Sequence, residues 1–187
     1  MPETNSRPAE PDLADDCSRC AALCCVSLAF DESEMFAIDK PSGTPCVHLG
    51  RSHECTIHDR REALGFKGCT RYTCHGAGQR VTVEIFDGRS WKNDRSLLEP
   101  MMDAFRQMRL VHELALLMNE AGKLPLMGNE RRMHQRLSSE LRPDAGWSRT
   151  SLAAFESGPV PTRIRAFLRG LQTVAMRSRA EAAPDRS

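Results

Sequence analysis

Aromatic residues are scarce in this sequence, at 5 % of 187 residues, with one tyrosine and two tryptophans. The hydrophobic fraction of 40 % is compatible with a core. So few large side chains make that core small, and a small core gains most from an added staple. No hydrophobic run approaches the length of a membrane span. The opening residues, MPETNSRPAEPDLADD, are acidic and proline-rich, with neither the basic start nor the apolar stretch of a secretory signal. A reducing, cytoplasmic location is therefore expected. Gly76-Ala77-Gly78-Gln79 lacks the Gly-Lys-Ser/Thr that a phosphate loop requires, and no acid–base dyad or methyl-donor loop stands out. Most of the chain also lacks cysteine.

Cysteine is confined to one stretch. All eight lie between Cys17 and Cys74, as C-x2-C-x3-C-C (Cys17, Cys20, Cys24, Cys25), then Cys46 and Cys55, then Cys69 and Cys74. Buried structural thiols fall singly, wherever a small apolar side chain is wanted. Clustering leaves a disulfide framework or thiolate ligands to metal. Disulfides need an oxidising compartment, and the vicinal pair Cys24-Cys25 cannot easily reach bridge geometry. If Cys17 to Cys25 is helical, Cys17, Cys20 and Cys24 share one face and Cys25 is turned away. Adjacent sulfurs can then serve two different metals, or one of them can stand behind the ligands without binding directly. Thiolates in such a patch suit zinc or an iron–sulfur cluster, and all eight cysteines are candidate ligands.

The run CxxCxxxCC, then Pro45-Cys46 with Leu49, then Cys55-Thr56-Ile57-His58 with Arg60, then Cys69 and Cys74 also resembles a known pattern. It is similar to that of a bacterial cysteine-cluster family described as zinc- or iron-chelating. Flagellin lysine N-methylases, to which iron–sulfur binding is attributed, share a related pattern. The phrase FAIDKPSGTPC…CTIHDRR…GFKGCTRYTCHGAGQ resembles the N-terminal region of proteins labelled pentapeptide-repeat proteins, but no run of A-[DN]-[LF]-x-x pentads occurs here. The resemblance covers residues 17–125 and implies a metal-binding domain. Its methylase branch implies iron–sulfur-dependent methyl transfer or redox chemistry.

Along the chain, residues 1–14 read as a disordered tail, 15–92 as the cysteine-rich metal-binding domain, 96–180 as a helical region and 181–187 as a fraying end. Lys40-Pro41-Ser42-Gly43 is turn chemistry. Gly65, Gly68, Gly76 and Gly78 bracket the last two cysteines, where glycine permits tight turns and close backbone approach. VTVEIF (81–86) alternates as one short strand, closed at Asp87-Gly88 and paired near Cys55-Thr56-Ile57. Ser96 and Glu99 form a capping box for a long helix. Leu97, Met101, Ala104, Met108, Val111, Ala115 and Met118 recur on its buried stripe, and Gly122 stops it. The methionines on that stripe are core filler. Further helices are expected over 129–141, 151–156 and 162–179, the last burying Ile164, Phe167, Leu168, Leu171, Val174 and Ala175.

Charge is unevenly spread. From Lys123 to the end, 12 basic residues face 6 acidic ones. With no DNA-binding motif this reads as a solvated helix face, so nucleic acid is not an expected partner. His48, His58 and His75 stand close enough to cysteines to hydrogen-bond a ligand. His53 belongs to a polar loop, and His112 reads as a structural or surface residue. Eight cysteines in one cluster argue against a single dedicated nucleophile.

The expected architecture is α+β, a small irregular cysteine-rich metal-stabilised domain followed by a helical region. The expected function is binding of an iron–sulfur cluster or zinc through thiolates. The alternatives are an iron–sulfur methyltransferase or redox enzyme, or a zinc-stapled module whose helices recruit a protein partner.

Overall fold

A computed structural model describes residues 12–172 together with Val174 and Met176. Its chain divides into two compact units, Asp12–Arg109 and the part from Leu110 onward. The division falls inside the longest helix, past the change of composition at Ser96.

The first unit is built from short helices. They are α1 (Leu23–Ser27), α2 (Lys67–Arg71), α3 (Ala77–Arg80) and the first half of α4 (Leu98–Ala121), with 3-10 turns at Cys17–Arg19, His58–Arg60 and Arg95–Leu97. Leu23, Val26, Phe66, Val81, Phe86, Trp91, Met101 and Phe105 form its buried apolar set. Trp91 is fixed by more than packing, since its indole N–H donates to Ala21 O at 2.7 Å. Thr82 ties two segments together. Its hydroxyl donates to Gly78 O at 2.9 Å and accepts from Ala21 N–H at 3.0 Å.

The expected α+β class is wrong. The described residues are mostly helical and contain no sheet, only isolated bridges at Phe30–Lys40, Ser33–Phe36 and Leu49–Cys55. The error begins at VTVEIF. Val81–Ile85 continues α3 as a widened helical turn, closed by Phe86 N–H donating to Val81 O at 3.1 Å. Alternation would bury Val81, Val83 and Ile85, but the chain buries Val81, Thr82 and Phe86 and leaves Val83 exposed. A strand here would have no neighbour for its ladder, because Leu49 and His48 already engage Cys55 and Thr56. The Arg80–Glu84 pair at 2.8 Å, one helical turn apart, supports the helical alternative.

The long helix forms as its stripe demands, with Met101, Ala104, Phe105, Met108, Val111, Leu114, Ala115 and Met118 all buried. Its entry differs from the expected capping box. Asp94, not Ser96, is the cap, and its carboxylate accepts from Ser96 N–H at 3.0 Å. Gly122 N–H closes the far end on Met118 O at 2.9 Å.

In the second unit α5 (Gly128–Glu140) and α6 (Arg149–Ser157) both pack on α7 (Val160–Gly170). Ser148 caps α6 by accepting from Ser151 N–H at 3.1 Å. Glu140 pairs with Arg163 at 2.9 Å. Ala121, Leu126 and Leu171 form a buried cluster with Leu124, Phe167, Leu168 and Val174 against it. Within the expected 162–179 helix, Thr173, Ala175 and the residues from 177 lie outside the described part, as do residues 1–11 of the expected tail and all of 181–187. Asp12–Ala14 are placed. Ala14 O accepts from the Gln79 amide at 2.7 Å.

Candidate metal centre

The stretch Cys17 to Cys25 is not one helix. A 3-10 turn carries Cys17, the chain then extends at Cys20, Ala22 takes left-handed backbone at φ 56°, and α1 starts at Leu23. The single-face argument for Cys17, Cys20 and Cys24 therefore fails as stated. Local turns, rather than a helical stripe, govern where these sulfurs point.

Those turns bring backbone amides near the sulfurs. The amides of Leu23 and Ala22 work to lower the Cys20 thiol, those of Gly78 and Gly76 the Cys74 thiol, and that of His48 the Cys46 thiol, each against a larger rise from burial. Left-handed backbone also gathers beside the cysteines. Among the described residues, Ala22, His53 and His75 are three of the four non-glycine residues with positive φ, and each lies within two positions of a cysteine. Left-handed backbone costs a residue with a Cβ roughly 1–2 kcal/mol. Such strain gathers where the local geometry has work to do.

Glycine supplies the remaining clearance. A Cβ on Gly78 would stand 2.6 Å from Cys20 Sγ and 3.7 Å from Cys74 Sγ, so two remote sulfurs flank one bare backbone position. Segments 14–20 and 74–79 are joined around it. Asp16 N–H donates to the Gln79 amide oxygen at 3.0 Å, and the Asp15 carboxylate accepts from Gly76 N–H at 2.9 Å and from the Cys74 thiol at 3.2 Å. Burial works to raise the Asp15 carboxyl, but the hydrogen bonds from Gly76, Thr73 and Cys74 outweigh it and hold it below the usual aspartate range.

The other cysteines are linked by main-chain bonds. Cys46 N–H donates to Cys25 O at 3.0 Å, Leu49 N–H to Cys46 O at 3.0 Å, and Leu49 bridges to Cys55. Arg61 binds Cys69 O at 3.3 Å and His58 O at 2.8 Å. Cys24 and Cys25 place their sulfurs 3.9 Å apart, and all eight thiols are free. Among the described residues, no three Cys, His, Asp or Glu side chains stand together as an ion-holding group.

The thiols shift as a crowd. Burial pushes Cys20 up to about 12, Cys74 to about 11 and Cys69 to about 11, and negative neighbours add to each. Within the vicinal pair, the hydrogen bond between them raises Cys24 and lowers Cys25, which Lys40, Arg61 and Lys92 lower further. Each ionised sulfur thus opposes ionisation of the next, and a cation bound among them removes that conflict.

Several residues that the sequence reading passed over belong to this region. Lys40 is buried at 4 % exposure, with Nζ donating to the carbonyls of Thr44 (2.8 Å), Pro41 (3.2 Å) and Val26 (3.3 Å). Burial pulls its pKa down, while Cys46, Cys25, Cys24 and Cys69 pull it up. The Tyr72 hydroxyl is buried without a hydrogen-bond partner. Burial raises its pKa, and the cysteines Cys24 and Cys74 push the same way. A turn lysine before Pro41 and a lone tyrosine carry no spacing signal that would have marked either.

The histidines play smaller parts. His48 meets the Phe66 ring edge-on at 5.0 Å, and His58 is exposed beside Asp59. His75 contributes its left-handed backbone after Cys74. His53 bonds Ser90 Oγ at 2.5 Å. His112 is fully buried in α4, which settles the choice left open for it in favour of structure over surface.

Comparison with known proteins adds one relative. The chain is 41 % identical over 110 residues to YybG of Bacillus subtilis (strain 168), a protein described as uncharacterized. The match takes in 59 % of this chain and only 39 % of that protein's length. No family model matches the chain, and no solved structure matches it. No helix of the described residues is long and apolar enough to cross a membrane.

Proposed function

We propose that this protein binds metal, an iron–sulfur cluster or zinc, through its eight clustered cysteine thiolates in a reducing, cytoplasmic setting. The observation that carries the reading is the approach of Cys20 and Cys74 to Gly78, where a Cβ would stand 2.6 Å from one sulfur and 3.7 Å from the other, so that cysteines far apart in sequence are brought to one side of α3. Thiolates gathered in this way are ready ligands once ionised. Sulfur donors fit zinc and iron, both of which accept all-thiolate coordination. Gathering the ligands calls for rotation of cysteine side chains about χ1, between staggered positions open to so short a side chain.

The resemblance to the cysteine-cluster family points the same way and belongs to this proposal, as do the alternatives of methyl transfer, redox chemistry or recruitment of a protein partner by the helices. Anaerobic purification followed by elemental analysis and a visible spectrum tests it. Stoichiometric zinc, or iron with sulfide and a brown colour, is the expected result. Folded protein that stays metal-free after incubation with Zn2+, or with Fe2+ and sulfide, would refute it.

A further inference from the structure

Independently of the metal reading, we infer that the second unit carries a surface for double-stranded DNA. Four arginines, Arg132 and Arg136 of α5 and Arg165 and Arg169 of α7, contact its phosphate backbone.

Total charge alone reads as a solvated face; the order of the charges along the helices reads otherwise. Elsewhere bases pair with acids three or four residues away, as in Arg80–Glu84, Arg106–Asp103 and Lys123–Glu120. Such pairing is how a helix face is kept for water. In the second unit, the residue one turn from each of the four arginines is another of the four. The α7 sequence, VPTRIRAFLRG, contains no acidic residue. Both acids of α5 are engaged, Glu130 accepting from Met127 N–H at 3.1 Å and Glu140 pairing with Arg163 at 2.9 Å. Arg132 reaches the Asn129 amide oxygen, a neutral partner. Among the described residues no carboxylate pairs with Arg136, Arg165 or Arg169.

Helix packing gathers the four into one patch. His134 stands against Phe167, ring centroids 6.4 Å apart, and Glu140 against Arg163, so the end of α5 meets the start of α7 and the two run antiparallel. Two residues either way from the His134–Phe167 contact, Arg132 comes level with Arg169 and Arg136 with Arg165. All four are exposed, while Leu137 and Ile164 are buried. Four residues of helix rise about 6 Å, and packed helices lie about 8–10 Å apart. The patch is therefore small enough to meet several phosphates of one duplex, and the planar guanidinium fork suits phosphate oxygens.

The surroundings favour duplex DNA over other polyanions. Single strands are held by stacking bases on aromatic side chains. In the second unit Trp147 and Phe155 are buried, and Phe167 packs against the Leu171 cluster. Duplex RNA is read largely through its 2′-hydroxyls. Ala166 and Gly170, beside the α7 arginines, have no side chain to bond them. What remains is contact with backbone charge, which B-form DNA presents at about one per 1.7 Å of its axis.

Fluorescence anisotropy of a labelled mixed-sequence DNA duplex, titrated with the purified full chain across a salt series, tests this. Four phosphate contacts predict a slope of log K against log salt of about −3.6, at 0.9 per contact. Affinity should then fall on the order of 100-fold between about 50 and 200 mM salt. The double variants Arg132→Gln/Arg136→Gln and Arg165→Gln/Arg169→Gln should each bring the slope to about −1.8. Arg51→Gln, an exposed change in the first unit, should leave it unaltered. Absence of duplex binding at the lowest salt, or a wild-type slope near zero, overturns the inference. So does tighter binding to single-stranded DNA or duplex RNA of the same length, or binding to phosphatidylserine vesicles in place of DNA. A wild-type slope that neither double variant changes refutes this surface. None of these outcomes bears on the metal proposal.

Discussion

Replacing Lys40 with methionine removes a buried ammonium while keeping most of the side chain's length and apolar stem. Three hydrogen bonds are lost, to Thr44 O, Pro41 O and Val26 O, along with a cation–π contact to Phe30 at 5.5 Å. The acceptors do not suffer equally. Val26 O keeps the N–H of Gly43 at 2.9 Å, and Pro41 O keeps that of Thr44 at 3.3 Å. Thr44 O is thus the acceptor most affected, and it loses the shortest of the three bonds. A hydrogen bond to a charged group contributes about 1.5–3 kcal/mol net. Relief of the lysine's burial offsets part of the other two bonds, so the net destabilisation should match one such bond, about 2 kcal/mol. For a chain of this size that lowers Tm by on the order of 5 °C. The loss should grow when metal is bound, because the ammonium then offsets ionised Cys25, Cys46 and Cys69. Thermal unfolding followed by circular dichroism, with and without added Zn2+, measures both effects. A Tm within about 1 °C of wild type under both conditions would show that the buried lysine contributes nothing to this fold.

Other perturbations probe neighbouring features. Trp91→Phe strands the Ala21 carbonyl and should cost about 1–3 kcal/mol, read as a lower denaturation midpoint at unchanged slope; an unchanged midpoint would mean the bond is idle. Asp94, held below its usual pKa by Ser96, stabilises the entry to α4 above the ordinary aspartate range and loses that effect as pH falls through the lowered value. Asp94→Asn should keep the cap and flatten the acid limb of the stability profile, and a profile identical to wild type contradicts this assignment. Cys20→Ala should abolish most metal stabilisation, whereas Met102→Ala, at a half-buried site, should leave metal content intact; equal metal content in both variants would count against Cys20 as a ligand. A chain ending at Arg109 contains all eight cysteines and the whole first unit, and it should keep its metal. Metal loss from soluble truncated protein would make the two units one cooperative system.

The sequence revealed most where a pattern repeats over many residues. The stripe from Met101 to Met118 spans several turns, so one period fits and the helix follows from it. VTVEIF is too short for that test, because six residues fit either period. What decided it was the helix already running into it and the lack of a strand beside it. Ser96 and Asp94 are both good caps, and choosing between them required knowing that a 3-10 turn precedes α4. Cysteine spacing marked the residues of the candidate centre, but not which sulfurs neighbour which, since Cys20 and Cys74 meet only through the fold. Lys40 was invisible for another reason. A turn lysine normally faces water, and nothing local records that this one turns inward.

Between Ser27 and Lys67 the only regular element is the 3-10 turn at His58–Arg60. Holding each residue there in one conformation costs roughly 1–2 kcal/mol of backbone entropy. Scattered bridges and a few buried side chains such as Ile57 and Phe66 return little of that locally. The stretch should open before either unit melts. Trypsin would then work as an occupancy gauge. The exposed arginines Arg51 and Arg60 sit on this stretch, and the rate at which they are cut would report how often Cys46 and Cys55 let go of whatever holds them.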